Sequence, residues 1–167
     1  MVVIAICGSP GTGKSTFADM LSSYGFHVIH LSKFVIENKL YCGYDRQRSA
    51  YIIDEDRLRK KLGGIISTKK SVIIEGIGAE ALPSDWVDLC IVLVCEPYVL
   101  RERLERRGFS QDKIDENLEA ERFGVILGEA ISNYGKSKLV VIDTSNGDFE
   151  KIVGVIIDEI RRRGLLR

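Results

Sequence analysis

The chain has 167 residues, 45% of them hydrophobic, which suffices for one domain with a substantial core. Lysine plus arginine and aspartate plus glutamate each number 24, so bulk charge draws the molecule toward neither nucleic acid nor membrane. No apolar run approaches the roughly 18 residues of a membrane span, and Cys7, Cys42, Cys90 and Cys95 form no CxxC pair, so buried free thiols and a reduced, cytoplasmic compartment are expected.

Val2 to Cys7 is apolar and β-branched, has no basic region before it, and runs into a glycine loop; this predicts a first strand and not a signal peptide. The loop, GSPGTGKST from Gly8 to Thr16, matches G-x-x-x-x-G-K-[ST] at every fixed position. Its glycines let the chain curl with N–H groups inward, and the following helix, with Phe17, Met20 and Leu21 as core contacts, adds its positive end. Lys14 brings a mobile charge to the β- and γ-phosphates, and Ser15 offers a hydroxyl to Mg²⁺.

Phe26 to Leu31 is a weaker strand candidate, and its His27 and His30 lack a third ligand, so no metal site is predicted there. Ser32 to Leu62 is polar, holds Tyr41, Tyr44 and Tyr51 among charges, and predicts an inserted helical flap beside the sheet. Tyr41, Tyr44 and Asp45 either line a monophosphate or partner surface or pack the flap on itself. Asp54, Glu55 and Asp56 form the acid-rich first turn of a helix continuing through Arg57 and Leu58.

Ser71 to Glu75 is the next strand, and Glu75 at its end is the candidate acid for a Mg²⁺-bound water; a solvent-facing carboxylate is the alternative. Leu89 to Val94 follows, then a helix with Pro97 in its first turn, Leu100 and Leu104 one turn apart, and a stop at Gly108. Arg103 and Arg107 share a face of it, placed either as cations over a migrating phosphate or as ordinary solvated charges. A longer helix is predicted from Gln111 to Tyr134, its Gly124 and Gly128 marking close backbone packing. Leu139 to Ile142 is the last strand. Asp143 and Thr144 then form a turn, before a helix with Phe149, Ile152, Val153, Ile156, Ile157 and Ile160 on one stripe. Arg161 to Arg163 and Arg167 read as a solvated helix terminus. Strand and helix in repetition predict a three-layer α/β domain.

Together, GSPGTGKST, LYCGYD with IIDEDRL (Leu40 to Asp45 and Ile52 to Leu58) and RLERRGFSQDKIDENLEAE (Arg103 to Glu121) resemble the adenylate kinase isoenzyme 6 family, also described as coilin-interacting nuclear ATPases, with archaeal members. The resemblance covers nearly the whole chain. It implies one P-loop kinase domain over 1–167: a five-stranded parallel sheet, a nucleoside-monophosphate flap about 32–54 and a short lid about 107–117.

The activity it implies is Mg²⁺-dependent phosphoryl transfer from ATP to AMP, with ATP hydrolysis and a role in small ribosomal subunit maturation. Its partners would be a ribosomal protein of the subunit platform and, through the terminal arginines, weak contact with ribosomal RNA. A monomer in the cytoplasm, or in the nucleus of a eukaryote, is expected. Gly11, Thr12, Gly13, Lys14, Ser15 and Thr16 would hold ATP, Arg107 would be the lid arginine, Arg103 would assist it, and Ser15 and Glu75 would meet the metal.

Two positions depart from the family pattern. The usual Asp-x-His pair is Glu75 and Ile77 here, and an arginine that some members offer to AMP is Ile36, with Lys33, Lys39, Arg46 or Arg48 as possible substitutes.

Overall fold

The computed structural model describes residues 1–166; Arg167, grouped above with the terminal arginines, lies outside them. β1 (Val2–Cys7) sends successive side chains into two different cores. Val3, Ala5 and Cys7 enter one apolar cluster, and Ile4 and Ile6 enter the other. A strand has a period of two, so a run buried on both faces must be apolar throughout.

β1 is the middle of five parallel strands in the order β2 (His27–His30), β5 (Ser71–Glu75), β1, β6 (Leu89–Val94), β7 (Leu139–Asp143). The four strong strand candidates and the weak fifth all join this sheet. Against one face pack Leu62 and Ile66 of α3 (Glu55–Ile66) and Ala130 and Tyr134 of α6 (Val125–Tyr134). Against the other pack Phe17, Ala18 and Leu21 of α1 (Lys14–Ser22), with Val153, Ile156, Ile157 and Ile160 of α7 (Phe149–Arg162). Burying one such aliphatic side chain contributes about 1.5–3 kcal/mol, so the α7 stripe is a main fastening of that layer.

A third cluster joins α4 (Pro97–Arg106) and α5 (Gln111–Arg122) through Leu100, Leu104, Ile114 and Leu118. The interval between α4 and α5 is only a few residues.

Three expectations change. The helix predicted over 111–134 is two helices, α5 and α6, and Gly124 is the break: its φ of 61° is a left-handed conformation that ends one helix and caps the next. A Cβ built on Gly124 or Gly128 would meet nothing within 4 Å, so neither marks close backbone packing. The flap is helical only at its start, in α2 (Leu31–Glu37). It continues as an antiparallel hairpin, β3 (Tyr41–Asp45) with β4 (Ala50–Ile53), whose polar, charge-rich strands hid the pairing. Asp54 caps α3 by accepting from the Arg57 N–H at 3.1 Å, as the acid-rich turn predicted. Cys7, Cys90 and Cys95 are buried free thiols and Cys42 is exposed. Among the described residues, no helix is long and apolar enough to cross a membrane.

Candidate active site

The carboxyl ends of β1 and β5 open onto a cavity of about 810 Å³. Ligands of open parallel sheets sit at such ends, where the chain leaves a central strand to opposite sides. The loop between β1 and α1 forms its floor. Gly13, with φ 95° and ψ 18°, caps α1 without a side chain, so the first amides of the helix are free for an anion. A Cβ on Gly13 would lie 2.4 Å from the Phe149 ring, so only glycine fits at that point.

Three donors converge on the Ser9 carbonyl: Thr12 N–H (3.3 Å), Thr12 Oγ1 (2.8 Å) and Lys14 Nζ (3.1 Å). The loop therefore holds its curl without a ligand. Lys14 is 9% exposed, and burial pushes its ammonium below the ordinary lysine value, with Arg107 adding to the shift and Glu75 opposing it. Ser15 and Thr16 are exposed to the cavity.

Glu75 does not face solvent: it is 4% exposed, and its Oε1 accepts from Ser15 Oγ at 3.0 Å. The pairing of β1 with β5 places Glu75 beside Ile6, two residues short of the loop. The structure thus joins the two residues predicted to meet a metal. Among the described residues no group of three or more His, Cys, Asp or Glu side chains could hold an ion alone. A nucleotide-borne ion fits better, since a hydroxyl and a carboxylate are the hard oxygen donors that Mg²⁺ accepts alongside phosphate.

The two predicted arginines have different surroundings. Arg103 is half-buried and engaged: Nη1 donates to the Gly11 carbonyl at 3.3 Å, and the guanidinium also reaches Thr144. Arg107 terminates α4, is exposed, and lies 5.4 Å above the Phe109 ring, within the cation–π range. Both line the cavity, as does Lys33. Lys39, Arg46 and Arg48 do not line it. In the flap, Tyr41 and Tyr44 each pack on Tyr51, with ring centroids 4.3 and 5.2 Å apart, so the hairpin packs on itself.

Three residues gain roles that their sequence surroundings did not announce. Glu121 of α5 accepts from Ser9 Oγ at 2.6 Å and from the Cys95 N–H at 2.9 Å, tying the glycine loop and the end of β6 to α5. Thr144, 0% exposed, donates toward the Thr12 carbonyl at 2.8 Å. His30 places Nδ1 2.6 Å from Glu75 Oε1 and Nε2 3.0 Å from Asp19 Oδ1. A signal for Glu121 was present in the run ending at that residue, but a carboxylate on a charged helix has no mark that distinguishes it from a solvated one.

A glycine cradle on the central strand of a parallel five-stranded sheet, with a carboxylate from the next strand touching its serine, defines a P-loop kinase fold. Solved structures agree. A shikimate kinase from Bacteroides thetaiotaomicron superposes with a TM-score of 0.64 at 17% identity, covering 96% of this chain and 98% of its own. A deoxyadenosine kinase from M. mycoides with bound dATP gives 0.57 at 15%, covering 95% and 98%. At such identity the likeness speaks for the fold alone.

A family model described as an AAA domain matches residues 4–124. A Methanocaldococcus jannaschii protein named "Putative adenylate kinase" is 38% identical over 161 residues, 96% of this chain and 86% of its own. A Caenorhabditis elegans "Adenylate kinase isoenzyme 6 homolog" is 38% identical over 135 residues, 80% and 74% of the two chains. The chain belongs to the family of these proteins, the adenylate kinase isoenzyme 6 family.

Proposed function

We propose that the protein transfers the γ-phosphoryl group of Mg·ATP to a nucleoside monophosphate, AMP by preference, giving two ADP. The observation that carries this reading is the Lys14–Ser15–Glu75 arrangement at the floor of a cavity large enough for nucleotides on both sides of the transferred group. The names of the relatives support the acceptor class.

In this mechanism the amides of the loop and Lys14 bind the β- and γ-phosphates. Ser15 and Glu75 would hold the nucleotide's magnesium, Glu75 through water. The ion, when bound, supplies neutralising charge between the phosphates. Arg107, exposed and held by no ion pair among the described residues, would swing onto the transferring oxygens as the lid arginine. Arg103 would set the loop by its bond to Gly11 and lend its charge to the same face. No covalent protein intermediate is needed, since positioning and electrostatics carry the reaction. Lys33 is the cation best placed for an acceptor phosphate.

The proposal includes ATP hydrolysis and a part in small ribosomal subunit maturation through a ribosomal protein of the platform, on the strength of the family resemblance. A second reading is a nucleotide-dependent binding switch with little kinase activity. It is favoured by Ile36 and Ile77, 51% and 55% exposed, which set apolar surface where family members offer polar side chains.

ADP formation from Mg·ATP, measured with and without AMP beside a Lys14→Ala control, separates the readings. AMP stimulation lost in the variant supports the kinase. Stimulation by another small acceptor moves the substrate, and turnover indifferent to any acceptor sinks the kinase and leaves the switch.

A further inference from the structure

The strand register sets an unanticipated neighbour beside Glu75. β2 pairs with β5 so that His30 is the partner of Glu75, and in a parallel pair such residues lie side by side on one face. A slip of one residue would turn His30 to the opposite face. The imidazole then bridges two carboxylates: Nδ1 is 2.6 Å from Glu75 Oε1, and Nε2 is 3.0 Å from Asp19 Oδ1 on α1. A carboxylate only accepts, so the ring is the donor in each contact: Nδ1–H toward Glu75 and Nε2–H toward Asp19.

Glu75 Oε1 therefore has two donors, His30 and Ser15. Among the described residues no hydrogen bond reaches Oε2, and no fully buried side-chain oxygen is left without a partner, so Oε2 remains open to the cavity that Glu75 lines. A glutamate has one more rotatable bond than an aspartate and needs more fastening to present one chosen oxygen. Ser15 supplies one bond to one oxygen, which leaves the carboxylate free to rotate about it. Ile77, two residues on, has no polar atom to contribute.

We infer that His30 is a positioning residue for Glu75. It clamps Oε1, with Asp19 fixing the ring from behind, and so leaves Oε2 aimed at the coordination sphere of the cation carried by the nucleotide. The inference rests on the phosphoryl-transfer reading only in assigning Ser15 and Glu75 to that cation. It assigns His30 no contact with substrate. Partners that orient metal-binding groups from behind typically change metal affinity by about 10–100-fold when removed.

The test is calorimetric titration with ATP in EDTA and again in excess magnesium, for the wild type, His30→Ala, His30→Asn and Asp19→Asn. The wild type is expected to bind ATP more tightly with magnesium. In His30→Ala that tightening should shrink by about tenfold or more while affinity in EDTA holds. His30→Asn, whose amide nitrogen can occupy the place of Nδ1, should restore most of it, and Asp19→Asn should show a smaller loss in the same direction.

An equal loss with and without magnesium would make His30 a merely structural residue and overturn the inference. So would an unchanged tightening in His30→Ala. If His30→Ala does not fold, His30→Leu, which fills the space without a donor, carries the same comparison. A wild type whose ATP binding ignores magnesium would overturn the metal assignment of Ser15 and Glu75 itself, and the His30 inference with it.

Discussion

Arg103 and Thr144, from α4 and the end of β7, are joined twice: Nη1 donates to Thr144 Oγ1 at 3.2 Å and Nη2 to its carbonyl at 2.6 Å. With the third bond to Gly11, one guanidinium spans the glycine loop and the turn after the last strand. Arg103→Ala is expected to destabilise the protein by about 2 kcal/mol, the usual worth of hydrogen bonds from a charged donor, and to weaken ATP binding. Arg103→Lys should recover little, since one ammonium cannot reproduce a planar fork. Calorimetric unfolding and ATP titration check both; a lysine variant equal to the wild type would contradict the brace.

Lys14 gives a prediction with opposite signs for stability and function. Its folded value is lowered by burial, so the folded state disfavours the charged form relative to the unfolded chain. The cost is fully present below the lowered value and is relieved as pH rises from it toward 10.5, the interval in which the unfolded chain binds the extra proton. Lys14→Met should therefore raise the thermal midpoint of the ligand-free protein and flatten the alkaline rise in stability. It should also abolish stabilisation by ATP, about 2.7 kcal/mol for a binding-competent chain at one hundred times Kd. Thermal unfolding across pH, with and without ATP, reads every part of this.

Gly13→Ala should be damaging for two separable reasons. The backbone conformation costs about 1–2 kcal/mol for an alanine, and the added carbon would sit 2.4 Å from the Phe149 ring. In the double variant Gly13→Ala, Phe149→Ala only the first cost survives alongside the cavity penalty of the lost ring. A double-mutant cycle on unfolding free energy should thus show a favourable coupling; strict additivity would mean the ring is not the obstacle.

Glu121→Ala removes the acceptor for Ser9 Oγ and for the Cys95 N–H. A loss of about 2 kcal/mol in stability is expected, with weaker ATP binding because the lip of the cradle is freed. Glu119→Ala, two residues away on the exposed side of the same helix, should stay within about 0.5 kcal/mol of the wild type. Equal effects at both positions would deny the tie.

What the residues announced in advance was what is local. The three inner strands β1, β5 and β6 are runs whose two faces are both buried, so composition alone marks them, whereas the edge strands β2 and β7 are partly exposed; the α7 stripe repeats at the helical period. The glycine loop is contiguous, and its neighbours on either side are the strand and helix it needs. The hairpin over 41–53 escaped because β4 is exposed at all four residues, so its backbone pairing with β3 carries tyrosine contacts and no buried apolar face. Gly124 was noticed, but a left-handed break and a packing glycine look alike without coordinates. His30 was set aside for want of further ligands. Its partner is a strand neighbour 45 residues away, and register between distant parallel strands leaves no trace in one sequence.

The hairpin is also nearly self-contained. It is anchored by Leu40, 3% exposed, whose carbonyl accepts from the Asp54 N–H at 3.0 Å, so the segment leaves and re-enters the body at adjoining points. Its tyrosines stack on one another, and none of its residues belongs to either core of the main sheet. Substitution, lengthening or wholesale exchange between Leu40 and Asp54 leaves the cradle and its fastenings untouched. A chain built this way can vary the surface it presents there while the glycine loop stays constant, and the same property makes this hairpin the natural point at which to graft a new recognition loop.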